Sequence, residues 1–281
     1  MKNLIIILIL LISSGFLTNK YDSDYVTFSS NVIESSTCKI VKLERRDNHI
    51  KARYFAVKDI DGKSVPDRYK SWAVGKNIVT VCSGTYMDKC EPNAKPVSLT
   101  IDQGNIINNT ISSMDGVATF FSSGEIVVGN IKSGELKIAN VNYDLKIPID
   151  KNKFMSWAKN NKATVFQTHL LIFKNELFIY DNSNATARER RFLAGCTDVE
   201  GNKYEYIFNF PEYITLLDAA RKTKKYLNQK EEMKTIDYLI NLDTGCQDFF
   251  EGYNSTGQKK EDFQGTNDIR NSINLVSFYY E

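Results

Sequence analysis

Histidine is nearly missing from this 281-residue chain: only His49 and His169 are present, and no Cys-x-x-Cys pair accompanies them. Structural zinc sites draw on closely spaced cysteine and histidine pairs, so that ligand spacing is absent and no metal site is read here. An excess of charge is missing as well. Thirty-six basic and 34 acidic residues leave a net charge of +2, and no basic stripe is interleaved with aromatics. That excludes nucleic acid as the expected partner. Beyond the first dozen residues no apolar run approaches the ~20 residues that a membrane-spanning helix needs. Internal repeats, low-complexity tracts and a clear linker are also lacking. No motif names a cofactor.

What is present is ample material for a core. Apolar residues make up 42% and aromatic residues 12%, enough for one large domain or two small ones. The N-terminus has its own character. Lys2 precedes the apolar run Leu4 to Ile12, and Ser13-Ser14-Gly15 follows. A short basic region before an apolar stretch too short for a comfortable span is the layout of a secretory signal peptide. The same run could serve as an uncleaved anchor helix. Residues 1–20 are assigned to the leader, with cleavage between Ser14 and Asp22. No cysteine lies near residues 13–20, which argues against a lipoprotein anchor. The mature chain is expected to be exported, as a secreted, periplasmic or cell-surface protein without a membrane span.

Export permits disulfides, yet five cysteines (Cys38, Cys82, Cys90, Cys196 and Cys246) cannot all pair within one chain. Cys82 and Cys90 are close enough in sequence for a short bridged loop. His169 could meet a cysteine in space as a nucleophilic pair, but cysteines packed in a core are commonplace.

Strand-like segments dominate. Tyr25–Val32, Lys51–Val57 and Asn77–Val81 alternate or are β-branched. Val117–Phe121 and Glu125–Val128 flank Ser-Ser-Gly as a hairpin. Glu135–Ile138, Thr164–Phe166, His169–Phe173, Leu177–Tyr180, Tyr204–Phe208, Thr235–Leu242 and Ile273–Tyr279 continue the pattern. Helices are few: Pro66–Val74, Lys151–Lys159, and one from Pro211 to about Asn228 with Ile214, Leu217, Ala220 and Leu227 at helical spacing. The expectation is an α+β single domain with a large, mostly antiparallel mixed sheet.

Four islands carry candidate chemistry. The first is Val79 to Asp88, a strand ending in a small-residue turn at Ser83-Gly84-Thr85-Tyr86. The second is Lys95 to Asn109, a strand–turn–strand. The third, Ala187 to Asn202, brings Arg188, Arg190 and Arg191 into a strand that runs to Gly195. The fourth is "YLINLDTGCQDFF", Tyr238 to Phe250, where an apolar strand delivers Asp243 to a turn at Gly245. A turn former is the plain reading of that acid. The other is an active-site edge.

In order and spacing these islands resemble the phosphodiester glycosidase family, that of the lysosomal uncovering enzyme and of many bacterial exported proteins. That family shows an Asn-Gly-Gly-Tyr-Phe-like turn, a strand pair about a glycine, Gln-x-x-Pro, Arg-Thr-x-x-Gly, an amphipathic helix and Asn-Leu-Asp-Gly-Gly-Gly-Ser. Here Ser83 to Met87 take the first place, Gln167 the glutamine, Arg191 to Gly195 the arginine motif, and Asn241-Leu242-Asp243 the last. The resemblance runs from about Ala56 to the C-terminus. It implies N-terminal strands over 21–55 and a phosphodiester glycosidase-like domain over 56–281. The departures are Ser83 for asparagine, Thr85 for glycine, Phe192 for threonine, and Thr244-Gly245-Cys246-Gln247 for Gly-Gly-Gly-Ser. Glycines in such turns let backbone N–H groups approach a phosphate, so their loss reshapes the pocket.

The resemblance implies a hydrolase that cleaves a sugar-1-phosphodiester in a glycan or envelope polymer. The alternative is a catalytically degenerate protein of the same fold that binds a glycan or phosphate. Cleavage needs an anion clamp, which the planar fork of arginine suits. It also needs a carboxylate to act as base or to stabilise an oxocarbenium-like transition state. The motif match assigns the clamp to Arg191 and the carboxylate to Asp243. Ser83, Gly84, Gln167, Arg190, Asn241 and Gly245 are expected to bind substrate. Asp88 and Asp115 are weaker acid candidates. His169 is expected to pack beside Phe173 or Phe178.

Overall fold

The long alternating segments of the C-terminal half assemble into the largest sheet. In a computed structural model, residues 25–45, 49–56, 62–91, 93–180, 185–246 and 248–281 are described. The leader assignment lies outside them. One antiparallel sheet holds β1 (Val26–Ile33), β2 (Ser36–Glu44), β12 (Leu170–Phe173), β13 (Glu176–Leu177), β14 (Arg188–Asp198), β15 (Lys203–Ile214) and β16 (Met233–Leu242). Its order is β1-β2-β15-β14-β16-β12-β13, which places β14 in the middle.

Two five-stranded sheets face it. One is β6-β5-β11-β7-β8, built from β5 (Thr100–Asp102), β6 (Asn105–Asn108), β7 (Gly116–Phe120), β8 (Ile126–Asn130) and β11 (Thr164–Thr168). The other is β18-β17-β4-β19-β3, built from β3 (Ile50–Phe55), β4 (Asn77–Cys82), β17 (Phe250–Tyr253), β18 (Lys259–Gln264) and β19 (Leu275–Tyr280). A two-stranded ribbon joins β9 (Lys137–Ile138) and β10 (Val141–Asn142). The fold is α+β and mostly antiparallel.

Burial explains the layering. Leu193, Ile207, Ile240 and Leu242 of the large sheet share one core with Tyr54, Phe120, Phe166, Phe250 and Phe278 of the two smaller sheets. Each sheet then packs a helix on its other face. Phe192, Ala194 and Tyr206 meet Ala219, Ala220 and Leu227 of α3 (Leu216–Asn228). Ile101 and Val165 meet Phe154 and Ala158 of α2 (Pro148–Asn160). Phe55 and Val81 meet Val65 and Tyr69 of α1 (Val65–Ala73). Alternation along a strand sends successive side chains to opposite layers, which is why both faces of β14 are apolar.

Three expectations change. Helix α3 starts at Leu216, not Pro211: Thr215 caps it by accepting from the Asp218 N–H at 3.1 Å. Pro211 to Ile214 instead extend β15 beside the register shift between Arg188 and Arg190, where a residue without an N–H is tolerated. Strand β2 was not anticipated. Cys82 does not pair with Cys90; Cys90 is bonded to Cys246, and Cys82 is a buried thiol whose pKa burial raises to about 12.

Candidate functional site

At the C-terminal end of β16 the chain leaves the core between two loops, and the predicted residues divide there by sheet face. Cross-strand partners share a face. Asn241 lies opposite Phe192, and Leu242 lies opposite Arg191, which in turn lies opposite Asn209. Arg190 and Asn241 therefore belong to the α3 face, and Arg191 belongs to the three-sheet core.

Arg191 is 1% exposed. Its Nη2 donates to Asp248 Oδ1 at 2.5 Å, Nη1 to the Phe249 carbonyl at 3.1 Å, and Nε to Asn209 Oδ1 at 3.0 Å. The guanidinium lies 4.7 Å from the Phe250 ring centre. Asp248 also accepts from the N–H and hydroxyl of Thr266. Burial raises its carboxyl, but Arg191 and Thr266 outweigh that and hold it below the ordinary range.

The other face carries a different group. Asn241 Nδ2 donates to the Tyr86 hydroxyl and to the Leu242 carbonyl. Asn241 Oδ1 is buried and has no hydrogen-bond partner among the described residues. Tyr86 meets His169 edge to face, with ring centres 5.5 Å apart. Burial raises the Tyr86 phenol, Asp243 raises it further, and Arg190 and Arg188 oppose the rise. Burial raises the Asp243 carboxyl, while the Gly245 N–H and Arg191 pull it down. Burial lowers the pKa of His169 and of Arg190. Arg190 spends Nε on the Ile214 carbonyl and Nη2 on that of Thr186. A carboxylate, a phenol, an imidazole and a guanidinium thus share one electrostatic neighbourhood, and the carboxylate has the raised affinity for a proton that suits acid–base work.

The remaining predicted residues hold the loops. Ser83 exchanges hydrogen bonds with Phe249, its N–H to the Phe249 carbonyl and its Oγ from the Phe249 N–H. The Gly84 carbonyl accepts from the Asp243 N–H at 2.8 Å. The N–H groups of Gly84 and Thr85 both donate to Asn274 Oδ1 at 2.8 Å, so the turn that would cradle a phosphate is filled by a side chain. A Cβ at Gly84 would stand 2.8 Å from Asn274 Oδ1 and from the Tyr54 ring, which explains the glycine. Gln167 is buried with its amide committed to Ser112 and Met114. Gly245 donates to Asp243 Oδ1 at 3.0 Å. Asp88 closes its own loop onto the Lys95 backbone, and Asp115 bears on the titration of His169.

Sequence reasoning missed the pairing of Tyr86 with His169. His169 packs on Tyr86 in place of Phe173 or Phe178, which instead meet each other. The one available signal was the break in apolar character at Thr168-His169 between two strands. The Cys90–Cys246 bond ties the Tyr86 loop to the Asp243 loop. Beside it lies a cavity of about 610 Å³ lined by Ser64, Asp67, Cys90, Cys246 and Arg270. Among its charged groups, Arg270 is engaged by Asp268, Asp67 by Ser64 and Glu91 by Lys89.

This architecture, three packed antiparallel sheets each backed by a helix, is similar to that of solved structures. The solved structure of zebrafish N-acetylglucosamine-1-phosphodiester alpha-N-acetylglucosaminidase, its catalytic domain auto-inhibited by pro-peptide, matches 91% of this chain and 82% of its own length. The TM-score is 0.51 at 13% identity. A hypothetical protein from Synechocystis matches 92% of this chain with a TM-score of 0.52 at 8% identity, and this chain spans 62% of that protein's length. No protein-family model matches the chain, and no curated protein matches it in sequence.

Proposed function

We propose that this protein is an exported hydrolase that cleaves a sugar-1-phosphodiester in a glycan or envelope polymer. The observation that carries the reading is the convergence of Asp243, Tyr86, His169 and Arg190 at the end of β16, in a fold shared with a phosphodiester glycosidase catalytic domain. In this reading Asp243 takes a proton from water as the water attacks the anomeric carbon. The bond from that carbon to the phosphate oxygen breaks, and the phosphate monoester leaves with the electron pair. Phosphate is a good leaving group, so a strong general acid is not required. Arg190, with Arg188, faces the phosphate charge. Asn241 Oδ1, which has no partner among the described residues, accepts a hydrogen bond from a sugar hydroxyl. Arg191 acts as a positioning residue, holding Asp248 and the chain that follows Asp243.

A second reading is favoured by the occupied amides of Gly84 and Thr85: a glycan- or phosphate-binding protein that has lost catalysis. The deciding experiment is release of free sugar from a panel of sugar-1-phosphodiesters by the purified mature chain. Saturable binding without release, unchanged in the Asp243→Asn variant, supports the second reading. The export component rests on the N-terminal segment, and native protein that begins at Met1 in a cytosolic fraction refutes it.

A further inference from the structure

Arg53 is a partly buried cation without a counter-ion. It stands on β3, the last strand of its sheet, and among the described residues its side chain forms no hydrogen bond and no ion pair. Its guanidinium carbon lies 4.8 Å from the Phe55 ring centre and 5.4 Å from that of Trp72. Such stacking uses the flat face of the group, and the N–H donors still point outward in its plane. Nε is buried, whereas Nη1 and Nη2 keep exposed surface. Burial lowers the pKa of Arg53, Asp102 and Tyr279 raise it, and Arg68 lowers it. An arginine stays charged through such shifts.

A cavity of about 160 Å³ lies against this residue. It takes Ala52 and Tyr54 from the core face of β3, and Arg53 and Tyr279 from the face that meets α1. A space that draws on both faces of a strand lies at its open edge. That edge is anchored at two points, by the Gly124 carbonyl on the Ala52 N–H and by Asp102 on the Ala56 N–H, each at 3.1 Å. The cavity occupies the interval at Tyr54. Turns of the neighbouring sheet close it, with Ser122 from the β7–β8 hairpin, Gln103 from the β5–β6 turn and Lys162 from the turn before β11. All three are exposed.

The wall is one-sided in charge. Arg53 and Lys162 are its only charged residues among those described, and Lys162 likewise has no ion pair or hydrogen bond from its ammonium group. The Ser122 and Tyr279 hydroxyls are also uncommitted among the described residues. The nearby acids are already answered. Asp102 is paired with Arg68 at 2.7 Å, and Glu281 with Lys51 at 2.5 Å and Lys76 at 3.7 Å. Two cations that meet no carboxylate select an anion. A phosphate monoester carries about −1.5 to −2 charges at neutral pH and three acceptor oxygens. The edge of a guanidinium meets two of those oxygens, and an ammonium meets the third. The volume is below the ~300 Å³ at which sites for whole small molecules begin, so it suits one functional group whose carrier stays outside. We infer that the open edge of β3 carries a binding site for a phosphate monoester group or inorganic phosphate, held by Arg53 and Lys162 with the hydroxyls of Ser122 and Tyr279. The site uses no group of the Asp243 cluster and does not depend on the proposed hydrolysis.

Inorganic phosphate and glucose 6-phosphate are the probes, with glucose as the uncharged control. Backbone amide resonances of the full mature chain are followed during titration of each. The expected result is saturable shifts at Arg53, Tyr54, Ser122 and Lys162 with one or both phosphates, none with glucose, and the same response in Asp243→Asn. Binding of inorganic phosphate shows that the free ion suffices; binding of glucose 6-phosphate alone shows that the ester's carrier contributes at the mouth. Lys162→Gln, at an exposed position, weakens binding about tenfold or more. Arg53→Gln abolishes it, with thermal denaturation showing each variant still folded. No saturable shift in this region with either phosphate overturns the proposal. Equal shifts with glucose, loss of the response in Asp243→Asn, or unchanged affinity in folded Lys162→Gln also overturn it.

Discussion

Replacing Arg191 by methionine keeps a long apolar stem and removes the guanidinium. The structure sets the size of the effect. Arg191 makes three hydrogen bonds, one of them to the nearly fully buried carboxylate of Asp248. Once the cation is gone, that carboxylate keeps only Thr266 as a polar donor among the described residues. Breaking a buried pair by removing one partner costs about 3–5 kcal/mol, because the other charge is left uncompensated. At about 2–4 °C per kcal/mol for a large domain, the melting temperature falls on the order of 10 °C. The pH dependence follows from the direction of the shift. Asp248 has a lowered pKa in the folded chain, so its stabilisation is fully present above the unfolded value of about 3.8 and is lost as pH falls through the folded one. The deficit of Arg191→Met is therefore largest near neutrality and shrinks in acid as Asp248 is protonated. Thermal denaturation across that range is the assay, with Asp248→Asn and the double variant completing a cycle. A neutral-pH loss under about 1 kcal/mol, or a double variant no better than the sum of the singles, refutes the buried-pair account.

Asp243 is expected to behave in the opposite way. Burial raises its pKa, so the ionised form costs the fold, and Asp243→Asn leaves the melting temperature near neutrality unchanged or higher while abolishing release of sugar from sugar-1-phosphodiesters. Wild-type activity falls on the acid side at a pH above the ordinary carboxylate value of 3.8, because the base must be ionised; an acid limb at or below that value excludes Asp243 as the base. Arg190→Lys raises KM by about ten- to a hundredfold, the loss of one charge-assisted contact worth roughly 1.5–3 kcal/mol, and an unchanged KM removes Arg190 from the phosphate site. Cys90→Ser opens a bond between residues 156 apart, for which the chain-entropy relation gives about 5 kcal/mol. Denaturant titration of that variant checks the figure, and a loss below about 1 kcal/mol shows that the hydrogen bonds of the two loops hold them without the bond.

Local regularities were written in the sequence. The Ser-Ser-Gly step between two apolar runs specified the β7–β8 hairpin, because a turn and its flanking alternation lie within a dozen residues. The spacing of Leu217, Ala220 and Leu227 specified the buried face of α3. The run into Asp243 specified a core strand that ends at a turn, and the alternation of Arg190 with Arg191 specified that the two arginines take opposite faces. Which face met what was decided only by strand order. The central place of β14 turned Arg191 into the core against Asp248, far along the chain, and left Arg190 beside Tyr86. The same assembly chose Cys246 over Cys82 as the partner of Cys90 and filled the Gly84 turn with Asn274. Contacts between residues so distant in sequence depend on which strands become neighbours, and alternation within one strand carries no record of its neighbour.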